Sequence, residues 1–221
     1  AFGRYVSPDL VAQLGSNSGG LTLGGETRNL TLLFSDVRGF TAIAEDFKDD
    51  PKGLTTLMNQ FLTILSDGIL DYKGTIDKFM GDAVMAFWNA PLDHEHHARA
   101  ACNAALRMTS DVDKFNRRRR AEVRMARMQA AKAKPAQSDA DSTAPTEPDK
   151  KVHMINVGIG INTGTCVVGN MGTSTRFDYT ALGDPVNVAS RLEGQARYYG
   201  ASIILGASTA RDVAAEFALI E

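Results

Sequence analysis

The sequence predicts an α+β sandwich, in which a mostly antiparallel sheet carries helices packed on a face. Two observations predict it. Long stretches with helical apolar spacing alternate with short β-rich segments in the order βααββαββαβα, and turn residues separate the paired β segments, which favours hairpins. The 221 residues, 43% of them apolar, provide enough material for one compact domain with an excursion.

An apolar strand opens the order. "NLTLL" continues into "FSDVRGFT", residues 34–41, and a helix is predicted to begin near Thr41. A second helix is predicted between Gly53 and Tyr72, because apolar residues recur there at intervals of three and four. A helix with one apolar stripe has to lie on a sheet to bury it.

The segment "GTIDKFMGDAVMAFW" predicts a β-hairpin. Its strands are predicted at Thr75–Met80 and Ala83–Trp88, with a tight turn at Gly81 and Asp82. Residues of these two types tolerate the positive φ that hairpin turns require.

The second half of the chain completes the order. A helix is predicted from His94 to about Phe115, and "HMINVGIGINTGTCVVGNMG" predicts two strands that turn at "NTG". The next helix is predicted to have Asp184 as N-cap, Pro185 in its first turn and a stop at Gly200. "ASIILG" predicts a short buried strand, and "ASTARDVAAEF" a last helix.

One stretch interrupts this alternation, at about 117–151. "RRRRAEVRMARMQAAKAK" predicts a basic helical extension, and "PAQSDADSTAPTEPDKK" predicts a flexible insertion without apolar periodicity. A solvated helix end followed by a mobile loop is the expected interpretation. The alternative is a regulatory contact of Arg117 to Arg120 with acidic partners or lipid headgroups.

Composition limits the classes of protein that fit. The net charge of −2 gives no general indication of a nucleic-acid or acidic-membrane partner, and the two cysteines, Cys102 and Cys166, lack the spacing of a disulfide framework or zinc site. No apolar run reaches the roughly 18 residues of a membrane span. The chain lacks an initial Met and stops in mid-pattern, so a longer parent protein is expected.

Two carboxylates follow predicted strand ends. Asp36 ends the first strand and Asp82 lies in the hairpin turn, so they meet at one end of the sheet if their strands are neighbours. Such a pair repels unless a divalent cation lies between, and oxygen ligands with open positions suit Mg²⁺ or Mn²⁺ carrying a phosphate substrate. The alternative is ordinary turn chemistry at each aspartate.

Further polar positions fit a phosphate substrate. Gly39 lets the backbone after Asp36 come close to a polyphosphate, where N–H groups at a helix start favour anions. No GxxxxGK[ST] occurs, so this differs from a P-loop. Asn187 and Arg191, four apart on a predicted helix, suit a sugar hydroxyl and a phosphate oxygen, with a solvated helical face as the alternative.

Four motifs in order carry a family resemblance: "LTLLFSDVRGFT", "DKFMGDAVMAFW", "VGIGINTGTCVVGNMG" and "DYTALGDPVNVASRLE". Together they resemble the catalytic domain of class III nucleotidyl cyclases, bacterial adenylyl cyclases in particular, over residues 26–221, with residues 1–25 as a connector. The resemblance implies a ferredoxin-like palm with a βαββαβ core. Compared with the family, the chain is expected to have a longer insertion and a C-terminal end that is truncated before a lysine-bearing turn.

The resemblance also implies an activity, conversion of ATP to 3′,5′-cyclic AMP and pyrophosphate by in-line attack of the 3′-hydroxyl on the α-phosphate. Two Mg²⁺ or Mn²⁺ ions would be held by Asp36 and Asp82. Lys78 and Thr180 fall where the family reads the base, which favours ATP over GTP. The implied catalytic residues are Asn187 and Arg191, and the other implied substrate-binding residues are Val37, Arg38, Gly39, Phe40, Thr41 and Arg176.

The family resemblance implies a homodimer with two sites and an inactive monomer. Each site would combine the two aspartates of one subunit with the base-reading and catalytic residues of the other. No side chain is an obvious general base, and the histidines of "DHEHH" (His94, His96 and His97) are expected to face solvent.

Alternatives remain open at this point. They are a guanylyl cyclase and an inactive cyclase-like module for dimerisation or nucleotide sensing; a diguanylate cyclase would need a GG[DE]EF-like turn, where this chain has "FMGDAV". "AFGRYVSPDLVAQL" resembles the joint that follows a sensory or membrane region in receptor-type cyclases. A cytoplasmic catalytic domain of a tethered signal-transduction protein is therefore expected, without a nucleic-acid partner.

Overall fold

A six-stranded sheet forms the centre of the computed structural model, which describes residues 24–133, 153–173 and 175–220. The strands are β1 (Gly24–Val37), β2 (Thr75–Met80), β3 (Ala83–Trp88), β4 (Val157–Gly172), β5 (Phe177–Leu182) and β6 (Ile203–Leu205). Their order is β2-β3-β1-β4-β5, all antiparallel, and β6 pairs parallel with β4. The predicted mostly antiparallel α+β fold is confirmed.

In the described residues, five helices pack against this sheet. They are α1 (Phe40–Asp46), α2 (Pro51–Asp71), α3 (His97–Ala133), α4 (Asp184–Tyr198) and α5 (Ala207–Val213). The Asp50 side chain caps α2 by accepting a hydrogen bond from the Gly53 amide at 2.9 Å, and Pro51 occupies the first turn. No helix in the described part of the chain is long and apolar enough to cross a membrane.

Successive residues of the strands serve two separate hydrophobic cores. Leu33 of β1 packs with α2 and α3 on one face of the sheet, whereas Leu32 packs on the opposite face, where Ala189 of α4 is also buried. The sequence predicted helices on one face. The structure has helices on both faces, because successive residues of the central strands are apolar and their side chains point to opposite faces of the sheet.

The prediction of two strands that turn at "NTG" is wrong. β4 runs unbroken through this segment, and Asn162 pairs with Leu32 of β1. The turn-type residues serve packing instead: the Asn162 amide donates to the Pro185 carbonyl at 3.2 Å, and a Cβ on Gly164 would lie 2.6 Å from the Pro185 ring. The chain turns later, where the Thr173 amide donates to the carbonyl of Arg176 at 2.7 Å, so both predicted strands belong to β4 and β5 follows this turn.

Helix ends differ slightly from prediction. Gly183, rather than Asp184, is the N-cap of α4, with a φ of 148° that favours glycine, and Gly200 follows the end of that helix as expected. The basic stretch after Phe115 continues α3 as one helix, and residues 134–152 of the predicted insertion lie outside the described residues. In this stretch Arg119 donates to the carbonyl of His153 at 2.6 Å.

The close approach of α4 to β4 predicts a large stability effect at Gly160. A Cβ there would overlap the backbone of Ala189 and Glu193, so Gly160→Ala is expected to lower the free energy of unfolding by about 3 kcal/mol. Gly194→Ala is the matched control: it lies on α4 with nothing within 4 Å of its Cβ position, and should raise that free energy by up to about 1 kcal/mol. Urea unfolding measures both; equal effects would contradict the packing.

Candidate active site

Asp36 and Asp82 lie at the same end of the sheet. β1 and β3 are antiparallel neighbours, with Ser35 opposite Val84, so the residue after Ser35 lies beside the β2–β3 turn. That turn uses a left-handed Gly81, with a φ of 69°, to place Asp82. The condition set by the sequence, that these strands be neighbours, is met.

The two carboxylates lie close enough to interact. Burial, a hydrogen bond with Asp36 and the negative charge of Asp36 together raise the pKa of Asp82 to about 6. The Val37 amide donates to Asp36 Oδ1 at 2.8 Å. Two carboxylates held together at this cost form a donor set that a divalent cation would stabilise.

The donor set fits a cation that shares its coordination with a substrate. Among residues 24–133, 153–173 and 175–220, no group of three or more His, Cys, Asp or Glu side chains is arranged to hold a metal. Mg²⁺ in phosphate-handling sites is commonly bound by one or two carboxylates, with substrate phosphates and water filling the other positions. The pair Asp36 and Asp82 supplies that number of ligands.

The raised pKa of Asp82 predicts a stability effect in the metal-free protein. Because the folded pKa exceeds the unfolded value of 3.8, this carboxyl favours folding most below about pH 4, and the contribution is lost as pH rises to about 6. Asp82→Asn should therefore raise the free energy of unfolding by about 1 kcal/mol at pH 7.5, since solvent screens part of the repulsion, and by little at pH 4.

Urea unfolding in EDTA at these two pH values measures the effect, with the exposed Asp67→Asn on α2 as control. A gain of equal size at both pH values would show that the ionised carboxylate of Asp82, disfavoured by burial and by Asp36, is not its cause.

The segment after Asp36 divides into two parts. Val37 is buried in the core, and the Arg38 amide donates to the carbonyl of Asn156 at 2.8 Å. The Arg38 guanidinium donates to the carbonyl of Ala201, so this predicted substrate contact turns into the protein. The amides free for a polyphosphate are those at the start of α1, from its left-handed N-cap, Gly39, through Phe40 to Thr41.

Lys78 and Thr180 lie on strands at opposite ends of the strand order, yet the fold joins them. The Thr180 hydroxyl donates to Oδ2 of Asp77, and Lys78 Nζ lies 3.3 Å from Oδ1 of the same carboxylate. Sequence reasoning missed Asp77. The available signal was an acid directly before Lys78 inside a predicted strand.

Asn187 and Arg191 are exposed on α4, and their side chains have no hydrogen bond or ion pair with the described residues. Glu193, two residues after Arg191 and therefore about 200° further round the helix, lies against Gly158, which pairs with Asp36. Burial and the charge of Asp36 raise the pKa of Glu193. The helix thus turns Glu193 toward the carboxylate pair of its own chain, and Arg191 away from it.

Arg176, another predicted phosphate contact, lies exposed in the β4–β5 turn. Its backbone amide donates a hydrogen bond to Oγ1 of Thr173 at 3.1 Å. Its role in binding stays a prediction.

The solvent-facing expectation for the histidines is wrong at two positions. His97 is half-buried and its Nδ1 lies 2.7 Å from the hydroxyl of Thr31, a buried residue of β1. Burial lowers the pKa of His97 and of His94. Only His96 is exposed as expected.

A mostly antiparallel sheet with packed helices and a carboxylate pair at one end is the arrangement that the resemblance to class III nucleotidyl cyclases implies. The chain belongs to the family of adenylate and guanylate cyclase catalytic domains, whose family description matches residues 25–213.

Relatives named as adenylate or adenylyl cyclases are similar to this chain in sequence and structure. Adenylate cyclase 1 of Rhizobium meliloti (strain 1021) is 34% identical over 206 residues, which are 92% of this chain and 26% of that protein. The adenylate cyclase of Anabaena cylindrica is 34% identical over 187 residues, 85% of this chain and 31% of that protein. The crystal structure of the adenylyl cyclase CyaB from P. aeruginosa is 33% identical with a TM-score of 0.67, and the match covers 88% of this chain and 84% of that one. The chain thus spans about a quarter to a third of the length of the two curated relatives.

Proposed function

We propose that the chain is the catalytic domain of an adenylyl cyclase, which converts ATP to 3′,5′-cyclic AMP and pyrophosphate. The placement of Asp36 and Asp82 together at one end of the sheet is the observation that carries this proposal. Membership of the cyclase family supports it, as does similarity to relatives named as adenylate cyclases.

The bonds exchanged are simple. The ribose 3′-oxygen attacks the α-phosphorus in line, the new O–P bond forms as the bond to the bridging oxygen breaks, and pyrophosphate leaves with that oxygen, while the 3′-hydroxyl proton passes to solvent water. Cyclases of this family generally use divalent metals. Held by Asp36 and Asp82, such ions would neutralise triphosphate charge and favour loss of the 3′-hydroxyl proton.

The residues of the chain bind and orient the substrate. The amides of Gly39 to Thr41 bind the polyphosphate, and Lys78 and Thr180 bind the adenine at N1 and N6. Asn187 orients the ribose, and Arg191 stabilises the charge that grows on the α-phosphate oxygens in the transition state. Arg176 adds a phosphate contact from the β4–β5 turn.

Two copies of the chain complete each site in this proposal. Arg191 lies about 200° round α4 from Glu193, which faces the carboxylate pair of its own chain, and this supports its action on a substrate held by another copy. Large apolar side chains stand exposed beside the base-binding residues: Phe79 (49%) and Met80 (43%) follow Lys78, and Leu182 (58%) follows Thr180. Such a patch beside polar groups is typical of an interface. A head-to-tail homodimer would therefore have two sites.

Regulation belongs to the same proposal. We place the chain in a longer signal-transduction protein, as a cytoplasmic domain controlled by an upstream sensory or membrane-anchored region.

Product analysis tests the activity. The purified chain, incubated with ATP or GTP and with Mg²⁺ or Mn²⁺, is expected to form cyclic AMP faster than cyclic GMP. Preferred formation of cyclic GMP would favour a guanylyl cyclase. Nucleotide binding without either product would favour an inactive sensing or dimerisation module.

A further inference from the structure

Asp77 is a buried carboxylate that the reaction described above leaves without a role. Its side chain is 0% exposed, although β2 lies at one end of the strand order. The register of β2 against β3 skips it, since Ile76 pairs with Ala86 and Lys78 pairs with Met85. A β-bulge of this kind redirects a side chain, and bulges are common beside active sites.

The contacts of Asp77 are the two base-binding side chains. Oδ2 accepts the hydroxyl hydrogen of Thr180, while Oδ1 lies 3.3 Å from Lys78 Nζ and receives no well-aligned hydrogen bond from the described residues. Burial raises the pKa of Asp77, and the Thr180 hydrogen bond and the Lys78 ammonium oppose that rise. A carboxylate kept in the interior at this cost holds both partners in place.

These contacts determine which hydrogen-bonding groups face a ligand. A threonine hydroxyl has one hydrogen, and because an ionised Asp77 is only an acceptor, that hydrogen is committed to it. Thr180 therefore presents lone pairs, and the Lys78 ammonium presents donors. Adenine has an amino donor at C6 and an acceptor at N1, which match this pair; guanine has a carbonyl at C6 and an N1–H donor, which do not.

We propose, on the basis of the adenylyl cyclase function proposed above, that Asp77 is a positioning residue that fixes the hydrogen-bond polarity of Thr180 and Lys78 and so selects adenine over guanine. It acts through these two side chains and does not touch the reacting atoms.

The test compares ATP with GTP in Asp77→Asn. Asparagine keeps the size of the side chain but can donate to Thr180 as well as accept from it. The ratio of kcat/KM for ATP to kcat/KM for GTP is expected to fall about tenfold, mainly through a higher KM for ATP. Because both substrates are measured in one preparation, the ratio does not depend on how much of the variant is folded.

Asp178→Asn is the matched control. Asp178 is an exposed acid on β5, two residues before Thr180, and its charge acts on Asp77. Asp178→Asn removes the same charge near the same site but leaves the buried contacts of Asp77 in place. Its ratio of kcat/KM for ATP to kcat/KM for GTP should therefore stay within about twofold of the wild-type ratio. Equal falls in both variants would overturn the role of Asp77 in favour of a general charge effect.

A second variant separates orientation from folding. In Thr180→Val the hydroxyl that Asp77 orients is missing, so adding Asp77→Asn should change the ATP-to-GTP ratio by a smaller factor than in the wild-type background. The same factor in both backgrounds would overturn the role through Thr180.

The two proposals fail differently. A wild-type chain that forms cyclic AMP while Asp77→Asn leaves the ratio unchanged contradicts only the role of Asp77. A wild-type chain that forms no cyclic nucleotide contradicts the cyclase function; the ratio of the dissociation constants of ATP and GTP in the two proteins then decides whether Asp77 sets the base preference.

Discussion

Asp36→Ala is expected to lower the rate of cyclic AMP formation by about 10³-fold, because it removes one of the two carboxylates on which metal binding depends. The fold should survive, because the substitution removes only the half-buried hydrogen bond from the Val37 amide. It also removes the negative charge that, together with burial, raises the pKa of Asp82. Initial rates with Mg²⁺ and with Mn²⁺, together with the unfolding midpoint, measure both effects.

Asp113→Ala, an exposed acid on α3, is the control for Asp36→Ala and should keep the wild-type rate. Cyclic AMP formation that Asp36→Ala leaves unchanged would contradict the assignment of this residue as a metal ligand.

Mixing two inactive variants is expected to restore activity. Asp36→Ala breaks the carboxylate side of a site, and Arg191→Ala breaks the other side, so a mixed dimer has one site with both defects and one intact site. Random pairing of equal amounts makes about half of the dimers mixed, each with one of two sites intact, which gives about a quarter of the wild-type rate. The rate is measured after co-refolding or co-expression of the two variants.

The control mixture combines Asp36→Ala with Asp82→Ala. Both substitutions lie on the same side of the site, so every dimer has two broken sites and no recovery is expected. Recovery in this mixture, or none in the first, would contradict a site shared between two chains.

The hairpin of β2 and β3 could be predicted with its ends, because alternating apolar residues and a Gly-Asp turn agree there. β4 could not. Asn162 and Gly164 are residue types that favour turns, but in the structure they contact Pro185. Pro185 is 21 or more positions away, so local propensity could not predict these contacts. The order of elements was nevertheless correct, because β5 takes the place of the expected second strand.

The candidate site divides in the same way. The proximity of Asp36 and Asp82 followed from strand ends alone, once the strands were taken as neighbours. Asp77 could not be found, because the bulge that redirects it depends on the register of β2 against β3 and on contact with Thr180, 103 residues away. The part-buried hydrogen bond between His97 and Thr31 is equally non-local, so the composition of the histidine cluster could not predict that His97 turns inward.

The glycine contact between α4 and β4 also has a mechanical consequence. With the backbone of Ala189 and Glu193 packed directly on Gly160, the helix has no space in which to slide or roll on the sheet. This contact therefore holds the part of α4 around Ala189 and Glu193, and with it Arg191, against its own sheet. In the proposed homodimer, an upstream signal would then change the distance between Arg191 of one chain and Asp36 of the other by realigning the two chains, without sliding α4 on β4.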